Sequence, residues 1–303
     1  MTAREPYRFE VALAGPLDMA ASVERFRRWG DDLLDRWDGL TCVRVARADD
    51  GRAMPYAATV AGTVREPCAR VAIADESARP TVEQSVRTMW GGTPASALEA
   101  LAARDPAIAR LATLHRGIRP IIHADGFTAI VRSISAQQVN LTWAATTRRR
   151  LAERYGERYT IGPFEVYHLA PAQLAAARVE DLRALQLTTR KAEYLIALAQ
   201  GVVDGTLNLP ALAALPDAEV IARLVARRGI GLWTAEWYLA RTLDRPVVVA
   251  GDLGVRKAVG AAYLGGAMPS EGQTRELTAH WGPAASLAQE LTLYALAHPV
   301  SVA

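Results

Sequence analysis

Cysteine is scarce in this sequence: among 303 residues there are two, Cys42 and Cys68. No Cys-x-x-Cys pair and no Cys/His cluster is present, so neither a zinc site nor an iron–sulfur cluster is expected. Lysine is almost missing. Lys191 and Lys257 are the exceptions in a basic complement otherwise made of arginine. No apolar run is long enough to cross a bilayer, and the N-terminus is charged and polar without a secretory pattern. The expected compartment is therefore the cytosol, any bacterial nucleoid included, with no membrane partner. The net charge is only +3 although the pI is near 9.0. So mild an excess does not itself point to nucleic acid; a local basic face is needed.

What is present describes a globular protein. Half the residues are hydrophobic and 22% are charged, and the length suffices for two or more compact units. Residues 1–92 read as an α+β domain. Tyr7, Phe9, Val11 and Leu13 alternate as in a half-buried strand, and Gly15-Pro16 ends it. A helix is expected over 19–37 from Met19, Val23, Phe26, Trp29, Leu33, Leu34 and Trp37. Trp29 and Trp37 are read as core residues. Strands follow at 40–47, 56–64 and 68–74, with Asp49-Asp50-Gly51 as a turn, and Val82, Val86 and Met89 mark a second helix. This order implies an antiparallel sheet with helices.

Residues 93–303 read as almost wholly helical. Ala97 to Leu114 is amphipathic and interrupted at Asp105-Pro106. Further helices are expected around 129–141, over 169–185, from Thr188 onward, and at 253–263, 270–280 and 285–297. Asp217 is placed to cap a helix carrying Val220, Ile221, Leu224 and Val225. That helix meets another at Gly229-Ile230-Gly231, where two glycines permit a sharp turn and close approach to another molecule. The second helix opens with Trp233-Thr234-Ala235. Its free N–H groups and dipole suit a phosphate. An apolar run, Val247 to Val249, then leads to Asp252 on a loop.

Gly229-Ile230-Gly231, Thr234-Ala235 and Asp252 with Gly254-Val255-Arg256 behind it resemble the helix-hairpin-helix DNA glycosylases. The segments Ile134-Ser135-Ala136-Gln137-Gln138-Val139 and Arg190-Lys191-Ala192-Glu193-Tyr194 are similar to two further stretches of that superfamily. The pattern is similar to its DNA-3-methyladenine glycosylase II branch. That resemblance implies a TATA-binding-protein-like antiparallel sheet with helices in residues 1–92. It implies an all-α glycosylase region in residues 93–303, with the catalytic cleft between two helical subdomains.

The resemblance implies monofunctional hydrolysis of the N-glycosidic bond of alkylated purines in base excision repair, on damaged double-stranded DNA, by a monomer. Asp252 is the implied catalytic carboxylate, stabilising an oxocarbenium-like sugar cation. The alternative for Asp252 is a helix cap in an ordinary αα-hairpin. Bifunctional relatives carry a lysine where this chain has Trp233, so no Schiff-base lyase step is expected. Trp233 and Trp237 share a helix face and, with Tyr294, are candidates for the base pocket, since aromatic faces attract cationic alkylated bases. The alternative for the two tryptophans is hairpin core.

DNA contacts are assigned to Gln137, Gln138, Gly229, Ile230, Gly231, Thr234, Arg190 and Arg256. Gln138 is placed to fill the gap left by an extruded base, or lies on a solvated face. Arg190 and Lys191 are phosphate neighbours or a solvated basic face. Arg256 contacts DNA or holds its loop. The resemblance also implies carbonyl oxygens at the 229–231 turn able to hold Na+ or K+; no other cofactor is expected. Two alternative readings stand beside this one: a glycosylase for another lesion, and a non-catalytic DNA-damage-binding or regulatory protein on the same fold.

Overall fold

A computed structural model of the chain describes residues 5–48 and 50–299. Strands β1 (Tyr7–Ala12), β2 (Arg36–Trp37), β3 (Thr41–Arg47), β4 (Ala53–Gly62) and β5 (Pro67–Ile73) form one antiparallel sheet in the order β1-β5-β4-β3-β2. Phe9 faces Val71 across β1 and β5, and Cys42 faces Ala58 across β3 and β4. Helices α1 (Met19–Val23), α2 (Arg25–Arg28) and α3 (Arg79–Met89) accompany the sheet. Val11, Val23, Tyr56, Val71, Val82 and Val86 close a common core. Residue Asp49 of the expected turn lies outside the described residues.

The single helix expected over 19–37 does not form. Its apolar spacing is helical, but Gly30-Asp31-Asp32 is a stronger local instruction. Gly30 takes φ +109° and Leu33 φ +67°. The carboxylates of Asp31 and Asp32 accept the N–H groups of Leu33 (3.0 Å) and Leu34 (3.1 Å), which turns the chain. Trp37 then lies in β2, buried, with its indole N–H donating to Glu24 at 2.9 Å. Trp29 is not core: it is exposed, beneath the Arg28 guanidinium at 4.9 Å.

The rest of the chain is largely helical: α4 (Ala95–Ala102), α5 (Pro106–Leu114), α6 (Gly126–Ala136), α7 (Leu141–Tyr155), α8 (Pro171–Ala175), α9 (Val179–Ala184), α10 (Thr189–Val203), α11 (Asp217–Val225), α12 (Leu232–Arg241), α13 (Leu253–Tyr263), α14 (Glu271–Thr278) and α15 (Ala285–Ala297). Asp105 caps α5 through the N–H groups of Ala107 and Ile108, so the Asp-Pro pair starts a helix while ending another. The span 169–185 is two short helices rather than one. Asp217 lies inside α11 and makes no cap; its carboxylate faces Arg245 at 3.7 Å.

A hairpin interrupts this helical array: β6 (Glu157–Ile161) and β7 (Phe164–His168), turned at Gly162-Pro163. The expectation of an all-α region is corrected here. The alternation of Tyr159, Ile161, Val166 and His168 is a strand period of two. Ile161 and Val166 bury against Val43 and Ala57, so the hairpin fastens the helices to the N-terminal sheet. A buried ion network fastens them as well. Arg132 of α6 donates to Asp32 (2.5 Å) and Asp35 (2.7 Å), Arg148 of α7 donates to Asp32 (2.8 Å), and Arg44 pairs with Asp35. Burial pushes the Asp35 carboxyl up, but Arg44 and Arg132 outweigh it and hold it well below the usual range.

The helices have two apolar cores. One joins Phe127, Ile130, Ile134, Leu151, Leu195, Leu224 and Leu239. The other joins Leu101, Ile108, Val255, Val259, Trp281 and Leu291. Helix α12 belongs to the first and α13 to the second, and Trp237 packs on the second.

Candidate functional site

Helices α11 and α12 form the hairpin the glycines suggest. The two glycines have different duties. Gly229 takes φ +88°, and a Cβ there would lie 2.2 Å from the Tyr194 ring, so the position excludes a side chain twice over. Gly231 has φ −99°, is exposed, and would meet nothing within 4 Å. It serves as the N-cap of α12 without a side-chain cap, so no side chain of its own covers the start of that helix. Ile230 between them is buried at the crossing. Its side chain anchors the turn and is not a surface contact. Thr234 is buried as a whole residue and is not a surface contact either. The carbonyls of Arg227, Gly229 and Gly231 accept N–H groups from Ile230, Gln137 and Ala235. A monovalent ion at this turn has to share them.

Asp252 stands at the start of α13. The run before it is held by Gln289, whose side-chain Oε1 accepts the Val249 N–H at 2.7 Å. Val249 is fully buried while Val247 and Val248 are half-buried. The two carboxylate oxygens of Asp252 have different partners. Its Oδ1 caps α13, accepting the Val255 N–H at 3.0 Å. Its Oδ2 accepts the indole N–H of Trp233 at 2.9 Å and of Trp237 at 3.3 Å. The carboxylate is half-buried. Trp233 and Trp237 sit one turn apart on α12, which is why both indoles reach one oxygen from across the boundary between the two helical cores.

The surroundings of Trp237 were not foreseen. The Arg241 guanidinium lies 5.2 Å from its ring centroid, is buried, and pairs with Glu290. One tryptophan face is therefore already occupied by a cation. The i,i+4 spacing of Trp237 and Arg241 on one helix face was the available signal. Leu293 stands 3.5 Å from where a Cβ on Gly254 would be, beside the Asp252 loop. Tyr294 turns instead to a separate aromatic group, stacked with His298 at 4.1 Å and edge-on to His115 at 5.3 Å. No hydrogen bond or ring pairing joins Tyr294 to Asp252 or to either tryptophan among the described residues, although Tyr294 and Trp237 pack on the same core.

The remaining candidates separate into surface and scaffold. Gln138 is exposed at φ +54°, at the turn between α6 and α7. Gln137 points inward, and its amide donates to the Gly229 carbonyl at 3.0 Å, tying α6 to the hairpin. Arg190 is exposed on the first turn of α10. Lys191 is buried and donates to the Ser135 carbonyl at 2.8 Å, so it is not part of a solvated basic face. Arg256 donates to the Pro269 carbonyl at 2.8 Å, which holds its loop. Asp244, eight residues before Asp252, takes φ +52° and accepts the Gly92 N–H. Burial raises its carboxyl pKa. It ties the loop after α12 to Gly92, 152 residues away in the chain.

The chain is similar to known proteins of one superfamily. The profile of the HhH-GPD superfamily base excision DNA repair proteins matches residues 131–284. DNA-3-methyladenine glycosylase 2 of Escherichia coli is 35% identical over 135 residues, 45% of this chain and 47% of that protein. A DNA-3-methyladenine glycosylase of Bacillus subtilis is 26% identical over 183 residues, 60% of each. The matches thus span about half to three-fifths of these relatives. Among solved structures, a 3-methyladenine DNA glycosylase from Archaeoglobus fulgidus superposes with a TM-score of 0.83 at 22% identity, covering 97% of this chain and 99% of that one. The hairpin and Asp252 both lie inside the matched span, and the chain belongs to the HhH-GPD superfamily of base excision DNA repair proteins.

Proposed function

We propose that this chain is a monofunctional DNA glycosylase that releases alkylated purines, of the 3-methyladenine and 7-methylguanine type, from double-stranded DNA. The observation that carries the reading is the Asp252 carboxylate, held at a helix N-terminus and met on Oδ2 by the Trp233 and Trp237 indoles. The names of the E. coli and B. subtilis relatives favour the alkylpurine class.

Cleavage of an N-glycosidic bond develops positive charge on the sugar. A fixed carboxylate beside that charge stabilises it without reorganising, and can orient the attacking water. Three donors fix this one: the Val255 N–H and the two indoles. Trp233 offers no amine to the sugar, so the product is free base plus an intact abasic strand. Alkylated purines are good leaving groups, and a strong general acid is not required. Glu236 does not supply one: it is buried and accepts from Arg275 at 2.8 Å.

DNA is held by its backbone. The first N–H groups of α12 beside Gly231 suit a phosphate and read no sequence. Exposed Gln138 and Arg190 extend this face, with Gln138 placed to occupy the stack vacated by the extruded base. The test is release of free 3-methyladenine and 7-methylguanine from methylated duplex, with wild type and Asp252→Asn side by side. Release by wild type alone is expected. Release by neither, with binding to abasic DNA intact, would overturn the catalytic reading in favour of a damage-binding protein.

A further inference from the structure

The turn that presents Gln138 is held from several directions. Gln138 occupies the left-handed region at φ +54°, which a side-chain-bearing residue keeps only when its surroundings over-determine it. The last turn of α6, just before it, shows what does so. The Ser135 carbonyl, which has no continuing helix to satisfy it, accepts the Lys191 ammonium at 2.8 Å. The Ser135 hydroxyl meets Arg148 at 3.1 Å. Gln137 is tied to Gly229 at 3.0 Å. Beyond the turn, Asn140 caps α7 through the Trp143 N–H at 2.7 Å.

Lys191 is the unusual member. Lysine is nearly absent from the chain, and this one is 9% exposed, its charge inside the protein and its stem among the residues of α10. A buried ammonium is costly unless a good acceptor meets it. The acceptor here is a helix C-terminal carbonyl, where a cation also complements the dipole. Its placement follows from α10: Thr188 caps that helix by accepting the Lys191 N–H at 3.3 Å, which fixes the lysine backbone in the first turn.

We infer that Lys191 is a positioning residue: its ammonium locks the C-terminal end of α6 so that Gln138 is held outward in one conformation, ready to enter a DNA duplex. The inference rests on the proposed function for its consequence and on the Ser135 contact for its substance. Lys191 does not touch DNA. It acts through the α6 carbonyl on the residue that does.

Two measurements test it, with Lys191→Met to keep the stem and lose the charge, and Lys191→Arg to restore a donor. Amide hydrogen exchange of the DNA-free protein over residues 134–141 is expected to speed about tenfold in Lys191→Met, to recover in Lys191→Arg, and to stay unchanged in α12. Release of 7-methylguanine is expected to fall about tenfold from a fully paired duplex, and less than about threefold when the lesion sits in a single-base bulge, where extrusion is easier. Unchanged exchange at 134–141, or equal losses on the two substrates, would overturn the inference. If Lys191→Met does not fold, Lys191→Gln, which keeps a polar end too short to reach Ser135, takes its place in both measurements. If wild type releases no base, the proposed function fails while the exchange data still decide the clamp.

Discussion

The indole N–H of Trp233 donates to Oδ2 of Asp252 at 2.9 Å, across the line where the two helical cores meet. The same carboxylate caps α13 through its other oxygen. The helix cap and the carboxylate proposed to act on the sugar are thus one group, with its two oxygens bonded to different partners. The cap fixes the rotamer, and the indoles fix the face that a sugar would meet.

Asp252→Asn separates those uses. Asparagine is as good an N-cap as aspartate, so the cap should be kept, but its amide NH2 would face the two indole N–H groups and stability should fall by about 1–2 kcal/mol. The negative charge is gone, and base release should fall by at least roughly a thousandfold, the scale of losing a fixed electrostatic stabiliser. Affinity for abasic duplex should stay within a few-fold. Asp252→Ala should additionally cost about 1 kcal/mol of stability through the lost cap. Single-turnover base release and urea melts measure both; an active Asn variant sinks the assignment.

Trp233→Phe retains an aromatic ring and removes the closer N–H. A hydrogen bond to a charged group is worth about 1.5 kcal/mol, so single-turnover release should fall roughly tenfold. Trp237→Phe should have a smaller effect from its 3.3 Å bond, compounded by the Arg241 cation left over a ring that attracts it less. Equal activity in all three proteins would show that the indoles serve packing alone.

The two hairpin glycines should fail in different ways. Gly229→Ala drives a methyl into the Tyr194 ring at a left-handed φ and should cost about 2–3 kcal/mol of stability or more. Gly231→Asp has space for its side chain and should leave the melting temperature within a few degrees. Its carboxylate would repel a phosphate, so affinity should drop alike for all DNA sequences. Loss confined to particular sequences would count against a backbone contact.

His123 gives a pH dependence. Its Nδ1 lies 3.3 Å from Asp35 Oδ2, with Arg44 and Arg132 close by. Burial, foremost, and then the two arginines outweigh Asp35 and push its pKa from 6.5 down to about 3. The unfolded chain therefore binds the proton first. The stability from keeping this histidine neutral is complete above about pH 6.5 and is lost progressively as pH falls toward 3. At about 1.4 kcal/mol per pH unit, urea midpoints at pH 7 and pH 5 should differ by roughly 2 kcal/mol more in wild type than in His123→Asn. A pH slope of equal size in the variant would remove His123 from the account.

The periods of the sequence were enough for most elements. Val82, Val86 and Met89 do form one face of α3, and Tyr7 to Val11 does alternate in β1. They failed where two instructions competed. Residues 19–37 have helical apolar spacing, yet two aspartates beside Gly30 turn the chain because their carboxylates satisfy backbone N–H groups locally. The β6–β7 hairpin was hidden by the helices around it, and what stabilises it is a sheet more than a hundred residues earlier.

The sequence by itself determined the hairpin, the N-terminal sheet and Asp252, because turn chemistry, strand alternation and a motif are all local. Tertiary structure alone decided which side chains of the motifs face outward. Lys191 and Arg190 are neighbours in sequence, one buried on a carbonyl and one exposed, as are Gln137 on the hairpin and Gln138 in solvent. It moved Tyr294 to a group with His115 and His298, and brought Trp233 and Trp237 onto the same oxygen. Those outcomes depend on where a second helix lies, and a one-dimensional pattern holds the face of each helix but not the partner that the face will meet.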